Sequence, residues 1–301
     1  MPTGRGSGSQ PDLSTPTISD KCLQADGLRV RFWQAGSGPA LVLVHGLLGY
    51  SFSWRGVITS LAQDREVFAP DMPGAGFSEC RPNLDCSLLG AARRLREFLD
   101  VAGIRSCDLI GSSYGGPTSM ILAGLVPSRI RSLVLVSPAN PWSRIGRKRL
   151  ALLRNPIFAL LFPKVARALH PIHRYFVRRM WGDPRLVTAE TLDGYVRPLL
   201  QPRIFEHAVK TVRTWHADMR ELETALPRIA DVPTLLVWGG RDRVVDPASA
   251  ELIAKHLPRA RVAVLPGAGH LPYEECPEEF CRIVQDFLSD VSTADIARPA
   301  R

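Results

Sequence analysis

The five residues Gly111-Ser112-Ser113-Tyr114-Gly115 fit the pattern G-x-S-x-G. A short apolar stretch precedes them and a helix-like run follows from residue 117 to 125. A serine at the centre of such a sharp strand-to-helix turn has its hydroxyl pushed out of the backbone, within reach of a substrate. The flanking glycines leave room, because a side chain at either position would crowd the turn. Centring the pattern on Ser112 would put Ile110 and Tyr114 at the glycine positions, so Ser113 is the candidate nucleophile. An alcohol is a weak nucleophile until a base takes its proton. The base in turn needs a carboxylate to fix its tautomer and stabilise the imidazolium. Among seven histidines, His270 stands in the Gly-rich stretch Pro266-Gly267-Ala268-Gly269-His270, directly after an apolar run. Asp242, in Trp238-Gly239-Gly240-Arg241-Asp242, follows the preceding apolar run in the same way. The run at 132–136 is followed by Ser137-Pro138-Ala139-Asn140, with no carboxylate, which leaves Asp242 as the best acid. A tetrahedral oxyanion needs preorganised N–H donors. One is expected from the amide of Tyr114 and the other from His45-Gly46-Leu47-Leu48-Gly49, with Leu47 first and Leu48 in reserve. His45 lies between a strand and a glycine turn, where a structural hydrogen bond suits it better than the role of base.

Those groups need a frame. Residues 28–34, 40–44, 66–69, 108–111, 132–136, 234–238 and 261–265 read as strands, and the run at 40–44 is continuously apolar, as in a buried strand. Residues 53–62, 88–101, 118–125, 247–256 and 277–291 read as helices. In the second, Leu88, Leu89, Ala92, Leu95, Phe98 and Leu99 share a face. Alternating strands and helices imply an α/β fold with a mostly parallel sheet covered on both sides. Functional groups then collect at the carboxyl ends of the strands.

Residues 141–215 break this rhythm. Seven prolines divide them into short helical pieces, and apolar clusters such as Ile157-Phe158-Ala159-Leu160-Leu161-Phe162 alternate with arginines. They carry 15 Lys/Arg against 4 Asp/Glu, more than the whole chain's net charge of +9. The expected organisation is therefore a disordered tail over 1–20, a core formed by 21–140 and 216–292, a helical cap inserted at 141–215, and a short tail at 293–301. The cap's apolar residues suit a hydrophobic acyl or alcohol group. Its arginines, densest at Arg147-Lys148-Arg149, could meet an anionic substrate group, an anionic membrane surface or only solvent. No nucleic-acid-binding module accompanies the charge. His170-Pro171-Ile172-His173 lacks a third nearby ligand and a regular helix to present it, so no metal site is expected. Trp142, Trp181 and Trp215 suit packing or pocket walls.

The 301 residues are 45% hydrophobic and 22% charged, an ordinary balance for a chain with a sizeable core. The first twenty residues are rich in Gly, Ser, Thr and Pro and lack the apolar centre of a signal peptide, which points to the cytoplasm. Six cysteines without a C-x-x-C pair fit free thiols.

Five motifs in order give the chain a resemblance to the α/β-hydrolase superfamily, in its serine-nucleophile, cap-bearing branch. They are His45-Gly46 with Gly49, the turn Asp71-x-Pro73-Gly74-x-Gly76-x-Ser78, Gly111–Gly115, Trp238-Gly239-x-x-Asp242, and Gly269-His270-x-Pro272-x-x-Glu275-x-Pro277. The resemblance spans about residues 22–292, and the order Ser, Asp, His is the one that architecture requires. It implies Ser113 as nucleophile, His270 as base, Asp242 as acid, an oxyanion hole from Leu47 and Tyr114, and no cofactor or metal. Asp71, Ser78 and Glu275 match positions that are usually structural. A serine at 113 argues against the epoxide hydrolases and haloalkane dehalogenases of the superfamily, which use aspartate. Carbon–carbon hydrolases of ring-cleavage products share the layout but usually show a different oxyanion loop and a Trp after the base, where this chain has Leu47-Leu48 and Leu271. The expected activity is hydrolysis of a hydrophobic ester through an acyl-enzyme. Carbon–carbon hydrolysis and a ligand-binding protein with little turnover are the alternatives.

Overall fold

The computed structural model describes residues 15–145, 155–168 and 170–296. The Arg147-Lys148-Arg149 cluster and the first fourteen residues of the expected tail lie outside the described residues. Eight strands form one sheet in the order β1-β2-β4-β3-β5-β6-β7-β8. They are β1 (Ser19–Ala25), β2 (Leu28–Ala35), β3 (Ala40–Val44), β4 (Glu66–Pro70), β5 (Cys107–Ser112), β6 (Ile130–Val136), β7 (Thr234–Gly239) and β8 (Ala260–Leu265). The first three in that order pair antiparallel and the rest pair parallel.

The inner strands are buried along their length, as parallel strands covered on both faces must be. Alternate residues feed two cores. Val42, Leu109, Leu133 and Leu236 face one side, with Leu95, Phe98 and Leu99 of α1 (Leu88–Val101) and Met120 and Ile121 of α2 (Gly115–Leu125). Leu43, Ile110, Val134 and Val237 face the other, against Trp54, Ile58 and Leu61. Phe280, Val284, Phe287 and Leu288 of the C-terminal helix close that second core. Each such side chain, fully buried, contributes roughly 1.5–3 kcal/mol.

Between β6 and β7 lie α3 (Pro156–Ala168), α4 (His170–Met180), α5 (Ala189–Val196) and α6 (Ile204–Ala225). Ala166, Leu199, Ile204 and Phe205 form a small separate core among them, with Phe162 and Leu48 packed against it. His173 stacks on Phe205, with ring centroids 5.1 Å apart. The helix α6 runs straight through position 215. Phe205 belongs to the small core, whereas Met219, Leu222 and Ala225 join the main one. A single amphipathic helix thus serves both layers and spans the position at which the composition changes. After β7 come α7 (Ser249–Ala254) and α8 (Pro277–Ile296).

Three local readings change. Residues 53–62 form a 3₁₀ turn at Ser51–Trp54 and one α-turn at Ile58–Leu61, separated at Arg55-Gly56, rather than one helix. Ser19 and Asp20, read as tail, begin β1, a mostly exposed edge strand that backbone pairing with β2 holds in place. The last helix continues to Ile296, past the expected start of the C-terminal tail at 293. Among the described residues, no helix is long and apolar enough to cross a membrane. All six cysteines are free thiols.

Candidate active site

Ser113 follows β5 directly and has φ = 50°, a left-handed conformation that an L-residue adopts at a cost of about 1–2 kcal/mol. Tertiary contacts enforce it. The Ser113 amide donates to the Val136 carbonyl (2.9 Å), and its own carbonyl accepts from the amides of Gly116 and Ala139 (both 3.0 Å). The motif glycines are required by close approach. A Cβ on Gly115 would stand 2.2 Å from the Val44 carbonyl oxygen, and one on Gly111 would stand 2.5 Å from the Gly115 carbonyl oxygen. A Cβ on Gly46 would lie 3.1 Å from the Ser113 Cβ, so the loop after β3 and the serine turn touch.

Asp242 and His270 meet. The Nδ1–H of His270 donates to Asp242 Oδ2 at 2.8 Å, and the side chains are 3% and 0% exposed. The other carboxylate oxygen, Oδ1, accepts from the amides of Val244 (2.7 Å) and Val245 (3.0 Å). Burial pushes the Asp242 carboxyl up, but the His270 imidazole and these two amides outweigh it and hold its pKa below the ordinary value. With Nδ1 committed, Nε2 is the nitrogen left to accept a proton. The Ser113 hydroxyl is not hydrogen-bonded to His270; in this chemistry that bond commonly tightens only with substrate bound.

The loop carrying His270 folds back onto β7 and under the inserted helices. A Cβ on Gly239 would stand 1.9 Å from the Gly269 carbonyl oxygen. The His270 amide donates to the Met180 carbonyl at 2.7 Å. Glu275 completes the clasp, accepting from the amide of Gly269 at 2.6 Å and from that of Gly182 at 2.8 Å.

Leu47 and Leu48 occupy the centre of a turn closed by the Gly49 amide on the Gly46 carbonyl (3.0 Å), with Leu48 at φ = 63°. The amides of Leu47 and Tyr114 have no carbonyl partner among the described residues, and both residues line one cleft. His45 is structural. Its Nδ1–H donates to the Gly46 carbonyl (2.8 Å) and its Nε2 accepts from the Met72 amide (2.9 Å), an assignment that the hydrogen-bond pattern makes. Burial lowers its pKa and keeps it neutral. Asp71, at the usual structural position, accepts from the amides of Ser51 and Phe77 and from Arg31.

Two residues in the same cleft escape motif reading: Arg94 on α1 and His207 on α6. A signal for Arg94 was present. It stands three residues after Ala91 and four before Phe98, a charge on an apolar helical stripe. His207 carries none, standing on a helix between β6 and β7 far from the five motifs in sequence.

The sequence profile of the alpha/beta hydrolase fold family matches residues 39–277, and the chain belongs to that family. An uncharacterized protein of Mycobacterium bovis is 28% identical over 300 residues, covering 96% of this chain and 86% of that protein. A monoacylglycerol lipase of Xenopus laevis is 27% identical over 278 residues, covering 86% and 78% respectively. A crystal structure of a putative lipase from Acinetobacter baumannii superposes with a TM-score of 0.78 at 22% identity, over 92% of this chain and 93% of that one, and supports the fold.

Proposed function

We propose that this hydrolase cleaves esters of hydrophobic acyl compounds through an acyl-enzyme on Ser113. His270 Nε2 takes the hydroxyl proton as Oγ attacks the carbonyl carbon. Asp242 stabilises the imidazolium, and the Leu47 and Tyr114 amides hold the oxyanion. Collapse expels the alcohol, which leaves with the proton from Nε2. Water then attacks the acyl-enzyme, gives a proton to His270, and releases the acid as the serine hydroxyl is restored. No cofactor or metal enters this route. The observation that carries the reading is the buried Asp242–His270 hydrogen bond at the same sheet edge as a serine held at positive φ. The monoacylglycerol lipase relative supports an ester as the substrate.

The test is a panel of acyl esters of graded chain length, run beside a ring-cleavage dienone and a fluorophosphonate label. Ester hydrolysis with labelling of Ser113 is expected. Turnover of the dienone alone would move the protein to carbon–carbon hydrolysis, and labelling without any turnover would make it a ligand-binding member of the family.

We also infer peripheral association with an anionic membrane through α3 and α4. On α3, Ile157 (69% exposed), Leu160 (70% exposed), Leu161 and Val165 present apolar surface among the exposed cations Lys164 and Arg167, and α4 adds exposed Tyr175, Phe176 and Arg178. Apolar side chains enter the acyl boundary while cations meet lipid phosphate. The protein is expected to sediment with vesicles containing phosphatidylglycerol and to do so at least tenfold less with phosphatidylcholine alone. Replacing Leu160 and Leu161 by aspartate is expected to abolish sedimentation, and retained binding would assign the patch elsewhere.

A further inference from the structure

The cleft beside the oxyanion loop has apolar walls, among them Val44, Leu47, Met72, Ala91 and Ala208. Arg94 and His207 interrupt them. Arg94 is only 6% exposed, and its buried Nε has no hydrogen-bond partner. Among the described residues no carboxylate pairs with its guanidinium. Asp85, the acid that bears on it from nearest in sequence, accepts instead from the Ser87 amide at 2.9 Å at the start of α1. The buried Nε2 of His207 likewise has no partner. The His207 ring rests against Gly74, where an added Cβ would come within 2.4 Å of it. Burial first, then the charges of Arg94 and Lys210, push the His207 pKa down to about 4, so at neutral pH the ring is uncharged and has one N–H to give.

A buried guanidinium without a counter-charge is costly, and proteins remove such groups unless something supplies the missing charge. Arg94 and His207 line the same cleft as Leu47 of the loop after β3 and Tyr114 of the serine turn, the two residues proposed to supply the oxyanion amides. We propose that Arg94 and His207 form an anion subsite of the active cleft, and that the substrate is an ester bearing a singly charged oxyanion, a carboxylate or a phosphodiester. This rests on the acyl-hydrolase reading above. Arg94 supplies one positive charge and planar donors suited to an oxyanion, and neutral His207 adds a hydrogen bond without a second charge, which matches one negative charge. The two groups come from α1 and α6, so the anion would bridge the sheet layer and the inserted helices.

The experiment has three arms. First, 4-methylumbelliferyl hemiesters of dicarboxylic acids are compared with their methyl-capped neutral counterparts, and lysophosphatidylglycerol with the monoacylglycerol of equal chain. The anionic-to-neutral ratio of kcat/KM is expected to exceed ten in one of the two pairs, which names the oxyanion. Arg94→Met should lower that ratio more than tenfold and Arg94→Lys should restore part of it. Second, Ser113→Ala is titrated calorimetrically with monomethyl glutarate and with glycerophosphoglycerol. Binding of one is expected, and its loss in Ser113→Ala/Arg94→Met. This arm needs no turnover, so it decides the subsite even if the ester reading fails. Third, Arg94→Met should raise Tm, because it removes an unpaired buried charge; a merely structural arginine would lower it. Ratios near one that Arg94→Met leaves unmoved, together with no anion binding to Ser113→Ala, would overturn the subsite while leaving the hydrolase reading intact.

Discussion

Ser113→Ala is expected to eliminate the proposed turnover of a chromogenic short-chain ester, with kcat falling by roughly 10⁵–10⁶. The residual rate over water comes from the oxyanion amides and binding, which the substitution leaves in place. Fluorophosphonate labelling is expected to disappear with it. The protein still folds, because alanine has the same left-handed backbone to adopt at φ = 50° and the same Val136, Gly116 and Ala139 hydrogen bonds to hold it there. Ser113→Gly is equally inactive but about 1 kcal/mol more stable, since glycine takes a positive φ without steric cost. Circular dichroism and urea unfolding separate the two effects. A rate within tenfold of the parent in either variant would mean another nucleophile.

Asp242→Asn is expected to lower kcat by about 10⁴ while barely altering the packing, if Asp242 has its proposed role. The local geometry dictates the reason. Oδ1 accepts from the Val244 and Val245 amides, so the oxygen of an asparagine must take that place, and its NH₂ must face His270. An N–H donor opposite Nδ1 forces that nitrogen to become the acceptor. The ring then carries its proton on Nε2, where the serine proton has to go. The measurement is steady-state kinetics on the ester that the parent hydrolyses best, with stability followed in parallel. Activity within tenfold of the parent would move the acid elsewhere. The loop after β6 offers no substitute, since Ser137-Pro138-Ala139-Asn140 holds no carboxylate.

Much of the sheet and the placement of these groups is legible from the chain because they depend on local signals. The inner strands are buried on both faces and read as apolar runs, and the glycines of the serine turn mark contacts that admit no Cβ. What escapes depends on partners distant in sequence. The strand at Ser19–Ala25 carries Asp20, Lys21 and Gln24 and exposes most of its residues, so only its register with β2 makes it a strand. The helix expected over 53–62 breaks where Gly56 follows Arg55, whose guanidinium is drawn off to Glu274 and Thr191. Arg94 was readable as a breach in an apolar stripe, whereas His207 joins it only because α6 crosses between two cores.

Glu275 ties the loop carrying His270 to the turn after α4 through one carboxylate, and backbone contact reinforces the tie: a Cβ on Gly182 would stand 2.4 Å from the Gly267 carbonyl oxygen. Residues 180–182 thereby support the loop that carries His270, although the chain places them among the helices between β6 and β7. In the proposed mechanism this anchor has to stay seated, because displacing it would drag the imidazole out of register with the serine. On that mechanism the helices between β6 and β7 and the proton carrier share one anchored corner, so substitutions away from residues 180–182 can reshape access without disarming the chemistry.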